Sequence, residues 1–333
     1  MLAEDRHVGS VERLFHFKKA PLLGTLPPHL LSVLADASRP RVFRKGELLL
    51  REGERAHATY LLVEGRLHLE RGGRVIGHGE PGTSIGGMGI LARAPAALTA
   101  TAESDSLTLE LDADTSFDLL EDNFGILRHL LRETTSHIID GWQLLPPGTP
   151  PPQMAAATPA RLMGLRDLDL VERIFYLRQV RPFERASINA LAELARAFSE
   201  VHFAPGDRLW SEGETARHVV LVVSGHAECS SRGGFRLQAG PGDPLGTLES
   251  VAGRPRWYEA EVKSPLTGLS GEIEALFDIF EDNLDMALGF LTAMSQWMLA
   301  ITEKLVELGP EQQRGLTGLD VSRIDATLEE RPG

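Results

Sequence analysis

The sequence is poor in cysteine, in net positive charge and in long apolar runs, and each shortage excludes something. Its 333 residues include one cysteine, Cys229. An intrachain disulfide, a thiolate zinc cluster and a CxxC redox pair are therefore excluded, and a lone cysteine of this kind reads as a small buried hydrophobe. Lys and Arg number 34 against 47 Asp and Glu, a formal charge of −13, with a sequence pI near 5.4. That balance opposes a nucleic-acid binder, which needs a net basic face. No uninterrupted apolar run approaches the roughly 18 residues that span a bilayer. The start, Met1-Leu-Ala-Glu-Asp-Arg-His7, lacks the basic and apolar regions of a secretory signal, so the chain reads as soluble and cytoplasmic. With 42% hydrophobic and 24% charged residues, it has the composition of a globular protein, and its length predicts about two domains.

What the sequence does contain is one unit written twice. Val11-Glu12-Arg13-Leu14-Phe15 returns as Val171-Glu172-Arg173-Ile174-Phe175, and Glu52-Gly53-Glu54 as Glu212-Gly213-Glu214. Gly65 pairs with Gly225, Pro81-Gly82 with Pro241-Gly242, Gly86 with Gly246, Pro95 with Pro255, and Glu121-Asp122-Asn123 with Glu281-Asp282-Asn283. The offset stays at about 160 residues throughout, too long for a solenoid period, so it signals duplicated domains. Between the copies lies a Pro- and Ala-rich stretch from Leu145 to Pro159. Proline fixes φ and removes a donor, so this stretch reads as an extended spacer. The expected organisation is domain 1 over 11–142, a linker over 143–165, domain 2 over 166–308 and a polar tail over 309–333, too short for an added helix-turn-helix domain.

Both copies change texture in the same order. Helix-spaced apolar positions at 25–38 and 185–198 precede short, Gly-punctuated strand segments. In the first copy these are Glu47–Leu50, Tyr60–Glu70, Arg74–Ile76, Ala97–Ala102 and Leu107–Leu111. In the second they are Arg208–Trp210, His218–Ser224, Phe235–Gln238 and Trp257–Val262. Helices close the copies at about 114–139 and 274–308, with Asp122/Asn123 and Asp282/Asn283 suited to cap the last one. The fold class read from this pattern is α+β: two copies of a β-roll with flanking helices.

The order Phe43-x-x-Gly46-Glu47, Glu52-Gly53-Glu54, Tyr60–Gly65, Pro81-Gly82, Ile85-Gly86 and Pro95–Ala100 resembles the cyclic-nucleotide-binding domain, and the second copy keeps the same spacing. The resemblance implies a jelly-roll (double-stranded β-helix) with a phosphate-binding cassette, F-G-E-(L/I)-A-L then P-R-A-A-T. In that family backbone N–H groups and the arginine hold the cyclic phosphate, and the glutamate holds the ribose hydroxyl. The first cassette here reads Ile85-Gly86-Gly87-Met88-Gly89-Ile90, then Pro95-Ala96-Ala97: Gly87 stands for the glutamate and Ala96 for the arginine. The second reads Leu245-Gly246-Thr247-Leu248-Glu249-Ser250, then Pro255-Arg256-Trp257. Arg256 matches the phosphate clamp, Thr247 replaces the glutamate, and bulky Trp257 and Tyr258 fill small positions. Losing two hydrogen bonds to charged groups costs about 3–6 kcal/mol, which turns a micromolar site into a millimolar one.

The first cassette is therefore expected to be degenerate at Gly86, Gly87, Met88, Ala96 and Ala97. The second retains at most a weak cyclic-nucleotide or anion site built from Gly246, Thr247, Leu248, Arg256 and Trp257, with Arg256 weighed also as a structural arginine. No other motif survives inspection. Gly86-Gly87-Met88-Gly89 lacks the Gly-Lys-Ser/Thr of a phosphate loop. His226-Ala227-Glu228 lacks the cysteines of a zinc deaminase. Asp112-Ala113-Asp114-Thr115-Ser116 has Phe117 where a calcium loop needs glycine. No metal, cofactor or enzyme activity is expected. The closing helix at 283–308 carries a long apolar stripe, Leu284, Ala287, Leu288, Leu291, Met294, Met298, Ile301, Leu305 and Leu308, with Trp297 beside it. It is expected either to pack on its own roll or to serve a protein partner or homodimer. The resulting expectation is a non-enzymatic regulatory or scaffolding protein working through protein contacts. The alternative is a nucleotide or anion sensor using the second domain, and a transcription regulator ranks last.

Overall fold

The computed structural model describes residues 8–20, 22–146, 149 and 167–308. It divides into two units, residues up to 130 together with those from 305, and residues 131–304.

Local sequence explains the helices of the first unit. Helix α1 (Ser10–Phe17) leads to α2 (Pro28–Ala37), which has proline in its first turn and buries Leu31, Leu34 and Ala35. Eight strands follow: β1 (Arg39–Phe43), β2 (Leu48–Leu50), β3 (Ala58–Glu64), β4 (Leu67–Arg71), β5 (Arg74–Gly79) and β6 (Ser84–Ile85), then helix α3 (Gly87–Leu91), β7 (Thr99–Ala102) and β8 (Ser106–Asp112). Asp112 ends β8 and caps α4 (Ala113–Asp122) by accepting from the Thr115 N–H at 2.8 Å. Helix α5 (Phe124–Leu144) comes next.

The strands form two antiparallel sheets, ordered β1-β8-β3-β6 and β2-β7-β4-β5, the pairing of a jelly roll. Period-two alternation sets the inner face: Leu67 and Leu69 are fully buried while His68 and Glu70 are partly exposed. The interior is closed by Phe43, Leu50, Tyr60, Leu62, Leu67, Leu69, Ile85, Ile90 and Ala100.

The second unit repeats this element for element. Asp169 and Glu172 form a capping box for α6 (Leu170–Arg178), and Ser187 caps α7 (Ile188–Ala197). The strands are β9 (Ser199–Phe203), β10 (Arg208–Trp210), β11 (His218–Ser224), β12 (Ala227–Ser230), β13 (Arg236–Ala239) and β14 (Pro244–Leu245), then helix α8 (Thr247–Ala252), β15 (Glu259–Val262) and β16 (Leu266–Glu272). Helices α9 (Ile273–Asp282) and α10 (Leu284–Leu308) close it. The sheets run β9-β16-β11-β14 and β10-β15-β12-β13. Even the irregularities recur, with register shifts at Leu62/Glu64 and Val222/Ser224. Tyr176 fastens α6 to the roll: its hydroxyl donates to the Val222 carbonyl and accepts from the Gly242 N–H. Cys229 lies fully buried in this core, and burial raises its thiol pKa.

Two expectations shift. The closing helices are each broken in two at Asn123 and Asn283, whose side-chain amides donate back to the Leu119 and Ile279 carbonyls while their backbone carbonyls accept the first bonds of α5 and α10, so each asparagine ends one helix and opens the next. The continuous segment Tyr60–Glu70 is two strands, split at a turn through Gly65. In the second unit Trp142 of α5 meets Phe235 and Trp297. The linker from residue 150 and the tail from 309 lie outside the described residues.

Helix α10 carries the stripe that reads either as core or as a partner surface. It is 25 residues long, with a mean hydropathy of 1.3 over its most apolar window, long and apolar enough by composition to cross a membrane. Half of that window is buried, and Ala287, Leu288, Leu291, Met294, Met298 and Ile301 are all in the core. These six positions follow the first of those readings, packing on the fold, which is what stabilises an amphipathic helix.

Gly225 tests this architecture. Its φ is +84°, and a Cβ there would overlap the backbone of Pro265 and Leu266, whereas Gly213, at φ +92°, faces open space. Gly225→Ala is expected to cost more than about 2 kcal/mol and Gly213→Ala about 1 kcal/mol, read as the difference between their urea unfolding midpoints.

Candidate functional site

The second cassette is built around one buried arginine. Gly246, at φ +76°, turns the chain from β14 into α8, and Pro255-Arg256 returns it toward β15. The return is fixed through backbone: the Arg256 N–H donates to the Glu214 carbonyl at 2.7 Å, and the Gly213 N–H donates to the Arg256 carbonyl at 2.7 Å. The Arg256 side chain then points inward and is 4% exposed. Its Nη1 donates to the Gly246 carbonyl at 3.0 Å, to Glu249 Oε1 at 3.2 Å and to Ser250 Oγ at 3.3 Å, and Nη2 donates to the His218 carbonyl at 2.6 Å. The guanidinium lies 4.0 Å from the centre of the Trp210 ring, a cation–π contact in a desolvated site.

Glu249 completes the arrangement and is 1% exposed. Burial pushes its carboxyl above the usual range, and the Arg256 charge pulls it back. The Tyr258 hydroxyl accepts from the Gly246 N–H at 2.9 Å, so the turn's own donor is taken by a side chain. Burial raises the pKa of Tyr258 well above its ordinary value, keeping the phenol neutral. Thr247 and Leu248 are buried as well. Trp257 packs on Phe235 with ring centres 4.4 Å apart and on Tyr258 at 5.2 Å, and Tyr258 meets Trp210 at 5.8 Å. At the other end of this chain of rings, Phe235 meets Trp142 at 5.8 Å and Trp142 meets Trp297 of α10 at 5.6 Å.

In the first cassette the same backbone carries none of this. Gly86 holds φ +89° before α3, the Ala96 N–H donates to the Glu54 carbonyl at 2.8 Å, and the Gly53 N–H donates to the Ala96 carbonyl at 2.9 Å. Met88 and Ala96 are buried, and Gly87 and Ala97 are half-buried. Arg93, which follows α3, lies with its guanidinium 5.3 Å from the Phe117 ring. A cavity of about 110 Å³ in this unit lies outside the roll, against Thr59, Leu61, Leu109 and Leu111 of the outer sheet face and beside Met88 and Leu120.

In the second cassette the structure brings Gly246 and Arg256 into contact, with Thr247 and Leu248 opening α8 and Trp257 turned to Phe235 and Tyr258; in the first, Gly86, Gly87 and Met88 lie at the turn into α3 and Ala96 and Ala97 on the return. Glu249 and Trp210 were missed: neither belongs to the family pattern, and they become partners of Arg256 only in three dimensions. One signal was available. Where the first copy has Gly89 and Ala96, the second has Glu249 and Arg256, so the acid and the base enter together. Asp167, Glu200 and His202 also converge within 4.8 Å. The Glu200 oxygens accept from the Asp167 and Leu168 N–H groups at 2.9 and 2.8 Å, and Arg173 lies 3.8 Å away, which makes Glu200 a turn-fixing group.

Removing one partner of a buried pair leaves the other uncompensated. Arg256→Ala is expected to cost about 3–5 kcal/mol at neutral pH. Without the arginine, Glu249 keeps a raised folded-state pKa, so the folded state takes up its proton more readily than the unfolded chain. The cost should shrink as the pH falls through that raised value, which denaturant unfolding of both proteins across pH 4–8 would measure.

Residues 40–123 match the family model described as the cyclic nucleotide-binding domain. A cAMP-dependent protein kinase regulatory subunit of Colletotrichum orbiculare is 31% identical over 113 residues, covering 33% of this chain and 29% of the relative. The protein of the same name from Hypocrea atroviridis is 29% identical over 111 residues, covering 33% and 24%. The chain thus aligns with less than a third of either curated relative. Among solved structures, the regulatory domain of Toxoplasma gondii PKA with cAMP aligns over 87% of this chain and 98% of its own, at 18% identity and a TM-score of 0.34. The regulatory subunit of a cAMP-independent protein kinase A from Trypanosoma brucei aligns over 87% and 88%, at 17% identity and a TM-score of 0.33. Residues 40–123 thus match the cyclic nucleotide-binding domain model, and the second unit repeats the strand order of the first.

Proposed function

We propose that this chain is a non-enzymatic regulatory module of the cytoplasm, with domains at 11–142 and 166–308 joined by a linker at 143–165. Neither cassette takes cAMP or cGMP in the family's manner, and the module acts through protein partners. The observation that carries this reading is the inward closure of Arg256. Both of its terminal nitrogens are spent on Gly246, Glu249, Ser250 and His218, and Trp210 covers its face. A cyclic phosphate would have to displace a carboxylate and Tyr258 to reach the cradle. In the first unit Ala96 and Gly87 offer neither clamp nor ribose acceptor.

Protein contact is supported by a repeated surface feature. Val11 and Phe15 on α1 are 70% and 59% exposed, and their counterparts Val171 and Phe175 on α6 are 58% and 65% exposed. Apolar pairs standing one helical turn apart in both copies suit recognition of another protein. The curated relatives are named as regulatory subunits of a kinase, so a protein kinase is the partner class we put forward.

A second reading, a sensor of nucleotides or anions in the second unit, is favoured by the ring chain from Trp210 to Trp297, which joins the cassette to α10. Thermal unfolding of the full chain decides between them. With millimolar cAMP, cGMP or guanosine the midpoint is expected to move by less than about 1 °C, since a ligand at 100 times its Kd would add about 2.7 kcal/mol. A saturating shift of several degrees that Arg256→Ala abolishes would instead establish the sensor.

A further inference from the structure

We infer that Glu249 is the resident oxyanion of the second cassette: its carboxylate occupies an Arg256 site that, once vacated, accepts a small external oxyanion such as phosphate. The inference rests on the preceding reading of that cassette as closed. Three observations carry it.

The first is geometric. Glu249 sits on α8 itself, two residues after Thr247, and presents Oε1 to Arg256 Nη1 at 3.2 Å within a site from which water is excluded, the two side chains being 1% and 4% exposed. The second is chemical. The pair is incompletely satisfied: Arg256 Nε is buried and finds no acceptor among the described residues, and the carboxylate reaches only one of the guanidinium nitrogens. A guanidinium presents five N–H donors in a fixed fork, and a tetrahedral oxyanion can meet two of its edges at once. Glu249 is thus an adequate partner and not a saturating one. The third is the comparison of the two copies. Backbone conformation at the turn is shared, with Gly86 and Gly246 both at positive φ and the same return hydrogen bonds from Ala96 and Arg256. The acid and the arginine are absent together in the first copy and present together in the second. A carboxylate buried for its own sake would cost stability, so its appearance beside the arginine marks it as that arginine's counter-charge.

Glu249→Ala removes the CH2–COO⁻ group, a hole the size of acetate bordered by Arg256 and Trp257. The test uses the full chain as wild type, Glu249→Ala, Glu249→Gln and the double variant Glu249→Ala/Arg256→Ala, titrated with acetate, inorganic phosphate and cAMP by calorimetry and thermal unfolding. Glu249→Ala should bind phosphate or acetate about tenfold or more tightly than wild type, and the double variant should lose that gain. If Glu249→Ala is unfolded in anion-free buffer, either anion should restore its fold and leave the double variant unaffected. Glu249→Gln, which keeps the volume and removes the charge, should remain folded and show a smaller gain. Equal anion responses in Glu249→Ala and the double variant would overturn the inference, as would wild type binding phosphate as tightly as Glu249→Ala. Micromolar cAMP binding by wild type that persists in the double variant would refute the proposed function while leaving the Glu249 assignment standing.

Discussion

A guanidinium buried under an indole, with a carboxylate from the next helical turn as its counter-charge, is the constraint around which the second unit is organised. Arg256 ties three segments together: the Gly246 turn, the start of α8 through Glu249 and Ser250, and the first residue of β11 through the His218 carbonyl. Each of these contacts is made by a group that water would otherwise solvate, so none can be given up without leaving a buried polar atom unpaired. Trp210, Tyr258 and Trp257 then have fixed places, because the ring faces must cover the guanidinium and each other. The Arg256 side chain spends both terminal nitrogens on the protein's own groups.

The two units show how far one backbone can be filled in different ways. Strand order, bulges, turn glycines and the hydrogen bonds that return the chain after each cassette are common to both. In the first, the corresponding interior is aliphatic, with Leu50 where the second has Trp210 and Ala96 where it has Arg256. Both solutions leave the backbone turn intact and remove the free cation from it.

Much of the fold was legible because it depends on residues with special backbones. Gly65 and Gly225, Gly86 and Gly246 recur at a constant offset since only glycine adopts their φ where another backbone passes close by. The strands β1 and β9 were not legible. Arg39-Pro40-Arg41 has neither apolar alternation nor a ladder donor at its proline, and it forms a strand only as the edge partner of β8. Asn123 and Asn283 open α5 and α10 through their backbone carbonyls, as their place in the chain suggested; that their side chains also close α4 and α9 was not legible, because an asparagine amide can serve the carbonyls behind it as well as the amides ahead. The cassette residues were found through turn spacing. Glu249 escaped because an ion pair between residues seven apart across a turn leaves no periodic trace. The stripe on α10 could be read as core or as interface with equal justice, since periodicity reports that a face is covered and not by what.

The central claim is that the Arg256 guanidinium is engaged from within, and its own nuclei report on that most directly. In protein labelled with 15N-arginine, the Arg256 Nε and Nη resonances should be resolved and slow to exchange with water. They should stay unmoved by millimolar cAMP or phosphate and change only when Glu249 is substituted. Resonances that exchange freely with solvent, or that shift in the wild-type chain at micromolar cAMP, would contradict the account.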